Sequence, residues 1–140
     1  MKRPLLAGLV LLLAAGLLSA AGATEDQTLI GISKIVAHPA LDAVEQGIQD
    51  ELVELGYDDI VYDLQSASGD LTTAAQIAAK FDADNVDVAV GIATPTAQAL
   101  VNGIDDAPVV FTAVTDPVGA GLVPSLAGGG GNVTGYSDLT

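Results

Sequence analysis

Hydrophobic residues follow two different spacings along the chain, one typical of buried strands and the other of amphipathic helices. Residues 28–33 (TLIGIS) form a short run rich in β-branched side chains, which predicts a buried first strand. Apolar residues then recur every three or four positions, at Leu41, Val44, Ile48, Leu52 and Leu55. Acidic and amide residues fill the positions between them. We therefore expect the first helix to bury this stripe against a core.

The alternation of strand and helix continues to the end of the chain. Further buried strands are predicted at residues 60–64, 86–92 and 109–113. Helices are predicted between them, from residue 71 to about 81 and from residue 95 to about 101. Residues 132–136 are a possible fifth strand, and we expect the tail from Gly128 onward to be poorly packed.

Strands joined by helices of this length predict βαβ units, in which neighbouring strands are parallel. Right-handed crossovers then place helices on both faces of the sheet. The predicted fold is therefore α/β. It is a doubly wound parallel sheet with the flavodoxin-like strand order 2-1-3-4 and a possible fifth strand at its edge.

Residues with known preferences for helix ends support these boundaries. Pro39 suits the first turn of a helix, where the missing N–H is not needed, and Gly56 lies where a C-terminal cap belongs. Asp70 follows a Ser-Gly turn and is the predicted N-cap of the second helix. Thr94 is the predicted N-cap of the third helix, with Pro95 in the first helical position.

Residues 1–23 have the features of a secretory signal peptide. Lys2 and Arg3 form a positive start, residues 5–18 are apolar, and residues 21–23 (AGA) form a small-residue cleavage site. A retained transmembrane anchor is the alternative, but the apolar run is shorter than the roughly 20 residues that span a bilayer. The sequence predicts cleavage after Ala23, export to the periplasm and no membrane insertion afterwards.

Charge and cysteine content exclude several classes of partner. The chain has 4 Lys+Arg against 18 Asp+Glu, a formal net charge of −14, and no cysteine. It therefore lacks the basic patch that nucleic acids or anionic membranes require, and it has no disulfide, thiol nucleophile or lipid-modified cysteine. All the acids follow residue 23, where Lys34 and Lys80 are the bases. Such a surface is either adapted to concentrated salt or simply a well-solvated periplasmic one.

The strongest candidate for ligand binding is the start of the predicted third helix. Ligands of open parallel sheets bind beyond the carboxyl ends of the strands. There the sequence reads ATPTAQ, from Ala93 to Gln98. Free amides at Thr96 and Ala97, together with the positive end of the helix dipole, would seat a carboxylate. The alternative is an ordinary capped helix.

Two other candidates follow the first and fourth predicted strands. Thr115 and Asp116 end the fourth strand, where the Asp116 carboxylate either accepts from a ligand ammonium or hydroxyl or forms a turn before Pro117. His38 is the single histidine of the chain and either faces a ligand or is a loop residue before Pro39.

The sequence contains none of the motifs that mark common enzyme classes. A G-x-G-x-x-G loop does not follow the first predicted strand, and there is no G-K-[ST] loop or G-x-S-x-G elbow. His38 has no carboxylate or cysteine partner at metal-ligand spacing. We therefore expect no cofactor, no metal and no catalytic activity, and we count an enzyme as the least favoured hypothesis.

Segments that resemble one bacterial family occur in the right order along residues 28–140. They are residues 37–42 (AHPALD), 55–57 (LGY), 93–98 (ATPTAQ), 110–123 (VFTAVTDPVGAGLV) and 131–138 (GNVTGYSD). Together they resemble the ABC-transporter substrate-binding proteins, a family that includes tryptophan- and phenylalanine-binding members. The resemblance implies a type I periplasmic-binding-protein fold, whose two α/β lobes close on a small ligand.

The resemblance also implies a domain organisation and a function. Residues 1–23 would be the signal peptide and residues 24–140 the N-terminal lobe, with the second lobe absent from a truncated chain. The protein would bind a small amphoteric ligand, an aromatic or branched amino acid, and deliver it to an ABC permease in the inner membrane. The alternative is a sensory module that presents the same ligand to a receptor kinase or chemoreceptor.

The resemblance assigns roles to individual residues. Thr94, Ala97 and Gln98 would meet the α-carboxylate of the ligand. Thr115 and Asp116 would lie beside the cleft, and His38 near the ligand side chain. The chain departs from the lipid-anchored members by lacking their N-terminal cysteine, which indicates a freely soluble periplasmic protein.

Overall fold

The computed structural model describes residues 27–128 and 130–138, so the predicted leader at residues 1–23 lies outside the described residues. Strands and helices alternate through the described part of the chain. They are β1 (Thr28–Lys34), α1 (Pro39–Glu54), β2 (Ile60–Ser66), α2 (Leu71–Ala83), β3 (Val88–Ile92), α3 (Thr94–Gly103), β4 (Val109–Val114) and β5 (Val133–Ser137).

The five strands form one parallel sheet in the order β2-β1-β3-β4-β5. This confirms the predicted α/β fold, the strand order and the fifth strand. The expectation of a poorly packed tail is wrong for residues 133–137, because Val133 pairs with Val109 of β4 and is only 7% exposed. Strand pairing with a buried neighbour holds this segment in place.

The third strand begins later than its hydrophobic pattern predicts. Val86 is buried, but its amide donates to the carbonyl of Phe81 at 3.2 Å and closes the end of α2. Asn85, with φ of 52°, makes the reversal that this bond requires. A hydrophobic run that belongs partly to a helix end and partly to a strand cannot be divided by periodicity alone.

The two faces of the sheet are covered unequally. On one face α2 and α3 pack against each other and on the sheet, and they bury Phe81, Ala97 and Leu100. Position 31 in β1 requires glycine because the Phe81 ring lies against it, and a Cβ there would stand 2.7 Å from the ring.

On the opposite face, α1 packs its apolar stripe on β1 and β3. Stripe residues contact the sheet but remain partly exposed, and these are Leu41, Val44, Ile48 and Leu52. The expectation that they are buried is therefore wrong in degree, and it is wrong for Leu55, which is 63% exposed just beyond the end of α1. Within the described residues α1 has no neighbouring helix on its face, whereas α2 and α3 shield each other.

Two helix ends match the residues predicted to cap them. The Asp70 carboxylate accepts from the amide of Thr73 at 2.6 Å and caps α2. At the end of α1, Gly56 has φ of 90°, its amide donates to Val53, and the amide of Tyr57 donates to Leu52. This pair of bonds is a Schellman motif, which needs a left-handed residue at the glycine position.

We expect the stability of the protein to decline in acid through Asp63. Burial works against ionisation of this carboxyl, but hydrogen bonds from Lys80 and Gln65 outweigh burial and lower its pKa. Because the folded pKa is below the unfolded value of about 3.9, the contribution is complete above that pH and is lost as the pH falls through the folded pKa. Urea unfolding of wild-type and Asp63→Asn proteins checks this. A decline of equal steepness below about pH 4 in both would contradict it.

Candidate functional site

All five strands end at the same edge of the sheet because they run parallel. The last residues there are Lys34, Ser66, Ile92, Val114 and Ser137. The strand order reverses direction between β1 and β3, with α1 on one face and α3 on the other. Such a switch point leaves a crevice between the two loops that leave the sheet, and ligands bind in that crevice. The candidate residues lie along this edge.

Helix α3 starts at the edge with an unusual backbone. Its N-cap is Ala93, with φ of 80° and ψ of 155°, a conformation that non-glycine residues rarely adopt. The amide of Ala93 donates to the carbonyl of Thr112 on β4 at 3.0 Å and holds this turn against the neighbouring strand. The prediction that Thr94 caps the helix is wrong, since Thr94 is already the first helical residue and Pro95 the second.

Thr96 closes the same turn from inside the protein. It is fully buried, and its hydroxyl lies 2.6 Å from the carbonyl oxygen of Ile92 and 3.1 Å from that of Ala93. The sequence predicted a role for the amide of Thr96 but not for its hydroxyl. A threonine in the first turn whose hydroxyl reaches back three or four residues is the signal that could have identified this bond.

The available donors at the start of α3 differ from those expected. The amide of Ala97 donates to the carbonyl of Ala93 at 3.1 Å, so it is not free. By helix geometry, the amides of Thr94 and Thr96 have no partner within α3, and Pro95 has no N–H. The positive end of the helix dipole lies at the same place. A carboxylate bound here would meet the amide of Thr94 and its partly exposed side chain, whereas Thr96 is fully buried and its amide faces no solvent.

Ala97 lies beneath the seat rather than in it. Its side chain is fully buried, and a Cβ at Gly91 would stand 2.7 Å from the Cα of Ala97 and 2.8 Å from its nitrogen. The helix backbone thus rests directly on β3, which only glycine at position 91 allows. The contact between Ala97 and Gly91 therefore sets the distance between the start of α3 and strand β3.

Gln98 joins α3 to the loop that follows β4. It is exposed, and its side-chain amide donates to the carbonyl of Ala120 at 2.9 Å. This bond uses one of the two N–H groups of the side-chain amide, and the side-chain oxygen of Gln98 remains an acceptor. The structure therefore brings the α3 start and the loop after β4 together, as their shared edge predicted.

Thr115 and Asp116 are both exposed at the end of β4. Asp116 accepts through its carboxylate from the amide of Gly119 at 2.8 Å and through its carbonyl from the amide of Ala120 at 2.9 Å. These bonds stabilise the turn that begins at Pro117. Asp116 therefore has the turn-forming role that was the alternative raised for this residue. The Thr115 carbonyl accepts from the hydroxyl of Ser137 at 3.0 Å and ties β4 to β5.

His38 has a defined structural role at the same edge. It is exposed and is the N-cap of α1, and its Nδ1 accepts from the amide of Ala40 at 3.2 Å. This bond requires Nδ1 without a hydrogen, so in the neutral ring Nε2 carries it and remains a donor. His38 is thus an exposed residue of the loop before Pro39, as one of the two alternatives stated, and it also caps α1.

The edge offers polar groups of the kind that hold a zwitterion. The Thr94 amide and hydroxyl lie at the start of α3, the Asp116 carboxylate and the His38 imidazole lie on the loops after β4 and β1, and the Ser33 hydroxyl is buried with no partner among the described residues. Within residues 27–128 and 130–138, no three His, Cys, Asp or Glu side chains converge as metal ligands. No helix of the described part is long and apolar enough to cross a membrane.

A separate cavity of about 320 Å³ lies between the loop after β4 and strand β5. Its walls include Phe111, Val123 and Leu126, and none of the six candidate residues lines it. No charged side chain lines this cavity, so it offers no ionic partner to a zwitterion, and we place the candidate site at the α3 start instead.

The chain is similar to known proteins over most of its length. The model of a family described as ABC transporter substrate binding protein matches residues 29–140. A protein named tyrosine-binding protein, from Clostridioides difficile, is 48% identical over 118 residues, which are 82% of this chain and 34% of that protein.

Solved structures of similar proteins match the same part of the chain. A conserved domain protein from Vibrio cholerae is 52% identical with a TM-score of 0.78, over 81% of this chain and 39% of that one. An ABC domain from Streptococcus pneumoniae, solved in complex with L-Trp, is 44% identical with a TM-score of 0.76, over 79% and 38% of the two chains. The chain thus spans between about a third and two fifths of the length of these relatives.

Proposed function

Because the chain belongs to the family of ABC transporter substrate-binding proteins, we propose that it is the first lobe of a two-lobed receptor for an aromatic amino acid. Residues 24–140 form this lobe, and the carboxyl edge of its sheet is one wall of the ligand cleft. A second lobe, outside this sequence, supplies the other wall. The relatives that match are more than twice as long, which supports this division.

The start of α3 is the observation that carries the proposal. The free amide of Thr94 and the positive end of the helix dipole lie together where a carboxylate would sit, with the fully buried Thr96 hydroxyl and Gly91 holding the helix in place. Arrangements of neutral donors select an anion without requiring a cationic side chain. A relative named for tyrosine and another solved with L-Trp support an aromatic amino acid as the ligand.

The neighbouring loops supply the rest of the site on this lobe. Asp116 keeps an exposed carboxylate beside the seat and is the acceptor for the ligand ammonium. The Gln98 oxygen and the Thr115 hydroxyl lie on the same side of the cleft, and His38 offers Nε2 to the ligand side chain from the opposite loop. Binding in this arrangement involves no bond making or breaking, so the protein acts as a receptor and not as an enzyme.

The leader and the family together indicate where the receptor works. Residues 1–23 direct the chain to the periplasm and are removed after Ala23. The loaded receptor then delivers its amino acid to an ABC permease in the inner membrane. The acidic surface and the missing cysteine suit a receptor that diffuses freely between ligand capture and delivery.

A thermal-shift screen of the full-length protein against the twenty amino acids tests this function. A ligand that binds only the folded state stabilises it by RT ln(1 + [L]/Kd), about 2.7 kcal/mol at a hundredfold excess over Kd. We expect L-tyrosine or L-tryptophan to raise the melting temperature and acidic amino acids to leave it unchanged. A screen in which no amino acid stabilises the protein would contradict the proposal.

A further inference from the structure

We propose that Lys34 is a positioning residue that holds the His38 loop at the cleft edge, an inference that rests on the function proposed above. Lys34 is the last residue of β1, and its side chain turns toward the first turns of α1. The ammonium donates to Asp42 at 2.6 Å and to Glu45 at 2.9 Å. One side chain therefore joins the end of a central strand to the start of the helix that follows it.

The ion pair is mostly withdrawn from water, so it fixes geometry more strongly than a surface pair would. The Lys34 and Glu45 side chains are each 13% exposed, and Asp42 is 47% exposed. Hydrogen bonds to Asp42 and then to Glu45 raise the pKa of Lys34, which stays charged at every physiological pH. Removal of the lysine would leave two neighbouring carboxylates without their shared cation, at a considerable cost for the buried one.

The path from Lys34 to His38 runs through one intervening residue. Asp42 binds Lys34 through its side chain, and its amide donates to the carbonyl of His38 at 2.8 Å. His38 in turn caps α1 through the amide of Ala40. A shift of Asp42 therefore moves the residue that we place against the ligand side chain.

The backbone of Lys34 ties a third segment to the same junction. Its carbonyl accepts from the amide of Ala67 at 2.9 Å, and the carbonyl of Ile35 accepts from the amide of Gly69 at 2.7 Å. The loop between β2 and α2 is thus anchored to the beginning of the His38 loop. Only the side-chain part of this junction depends on lysine, so substitution at position 34 tests it separately.

Lys80 provides a matched control. It also binds two carboxylates, those of Asp63 and Asp84, but it lies in the last turn of α2 and is 47% exposed. Lys80→Met removes the same charge and a similar pair of hydrogen bonds without touching the His38 loop.

Calorimetric titration of the full-length protein with L-tryptophan, or with L-tyrosine if that binds more tightly, tests the inference as a double-mutant cycle with His38→Ala. We expect Lys34→Met to weaken binding about tenfold and His38→Ala about fivefold, with the double variant about tenfold weaker and not fiftyfold. Lys34→Arg keeps a cation between the carboxylates and should stay within about threefold of wild type, and Lys80→Met within about twofold.

Additive losses in the cycle, or equal losses for Lys34→Met and Lys80→Met, would overturn the inference. If Lys34→Met does not fold, Glu45→Gln takes its place in the cycle, because it removes one charge of the ion pair with Lys34 while keeping a hydrogen-bond acceptor. Additive losses with His38→Ala in that cycle would overturn it equally.

Hydrogen exchange at the Ala40 amide reports on the His38 cap without any ligand. Faster exchange in Lys34→Met, or in Glu45→Gln, than in wild type and Lys80→Met supports the positioning role, and equal exchange overturns it. Failure of wild-type protein to bind either amino acid would overturn the proposed function. The exchange measurement would still decide whether Lys34 positions His38.

Discussion

Replacement of Gly91 by Ala is expected to destabilise the protein by about 3 kcal/mol or more and to abolish amino-acid binding at micromolar concentrations. The new methyl group would stand 2.7 Å from the Cα of Ala97 and 2.8 Å from its nitrogen. These are backbone atoms, so no side-chain rotation relieves the clash. Helix α3 must move off the sheet, and the amide and hydroxyl of Thr94 move with it. Urea unfolding and calorimetry measure the two effects.

Gly47 provides the control for this substitution. It lies inside α1, and an added Cβ there would meet nothing within 4 Å. Gly47→Ala should therefore stabilise the protein by about 0.5–1 kcal/mol, because alanine loses less backbone entropy in a helix. If Gly91→Ala were as stable as wild type, the close approach of α3 to β3 would not exist in solution.

Thr94→Val in the full-length protein should weaken amino-acid binding about 5- to 150-fold while the fold survives. Valine keeps the shape of threonine but removes a hydroxyl beside the carboxylate seat, which leaves a desolvated ligand oxygen short of one donor. The structure makes this test cleaner than the sequence suggested, since Ala93 and not Thr94 is the N-cap of α3. Little helix stability therefore depends on the lost hydroxyl.

Thr72→Val is the matched control, because it makes the same chemical change away from the proposed ligand site. It is exposed in the first turn of α2, on the neighbouring helix. Thr72→Val should leave the Kd within about twofold of wild type. An unchanged Kd for Thr94→Val as well would place the seat elsewhere and leave the ATPTAQ segment as an ordinary helix start.

Hydrophobic patterning was sufficient to predict the sheet and its order. Residues 28–33 and 109–113 are runs of apolar residues bounded by polar loops, and helical stripes separate them, so parallel strands with right-handed crossovers were the simplest solution. The hydrophobic pattern predicted the depth of burial less well on the face of the sheet that α1 covers. The stripe of α1 has the spacing of a core face, but how deeply it is buried depends on neighbours that its own sequence does not specify.

The start of α3 shows why the site was only partly predictable. Asp70 and Thr94 both looked like N-caps, and Asp70 is one because its backbone is extended and its carboxylate reaches the amide of Thr73. Before Thr94, β3 runs straight into the helix, and Ala93 takes up the reversal with a strained φ. The close packing of Ala97 on Gly91 and the bond from Thr96 to Ile92 enforce that strain. These are tertiary contacts, which local preferences do not encode.

The edge loops illustrate the same limit. The sequence left Asp116 and His38 open between ligand contact and local structure, and each makes a local hydrogen bond while remaining exposed. A residue that shapes its own loop can also present its remaining polar atoms to a ligand. Forming the local hydrogen bond and contacting a ligand are therefore compatible at these positions, and binding measurements test the second role.

Calorimetric titration of the full-length protein with L-tryptophan and L-tyrosine, beside their decarboxylated amines tryptamine and tyramine, tests whether the protein recognises the carboxylate of an amino acid. If the start of α3 seats a carboxylate, at least one amino acid should bind, and loss of its carboxylate should weaken binding by about a hundredfold or more. Equal affinity for the amino acid and its amine, or no affinity for either amino acid, would contradict the account.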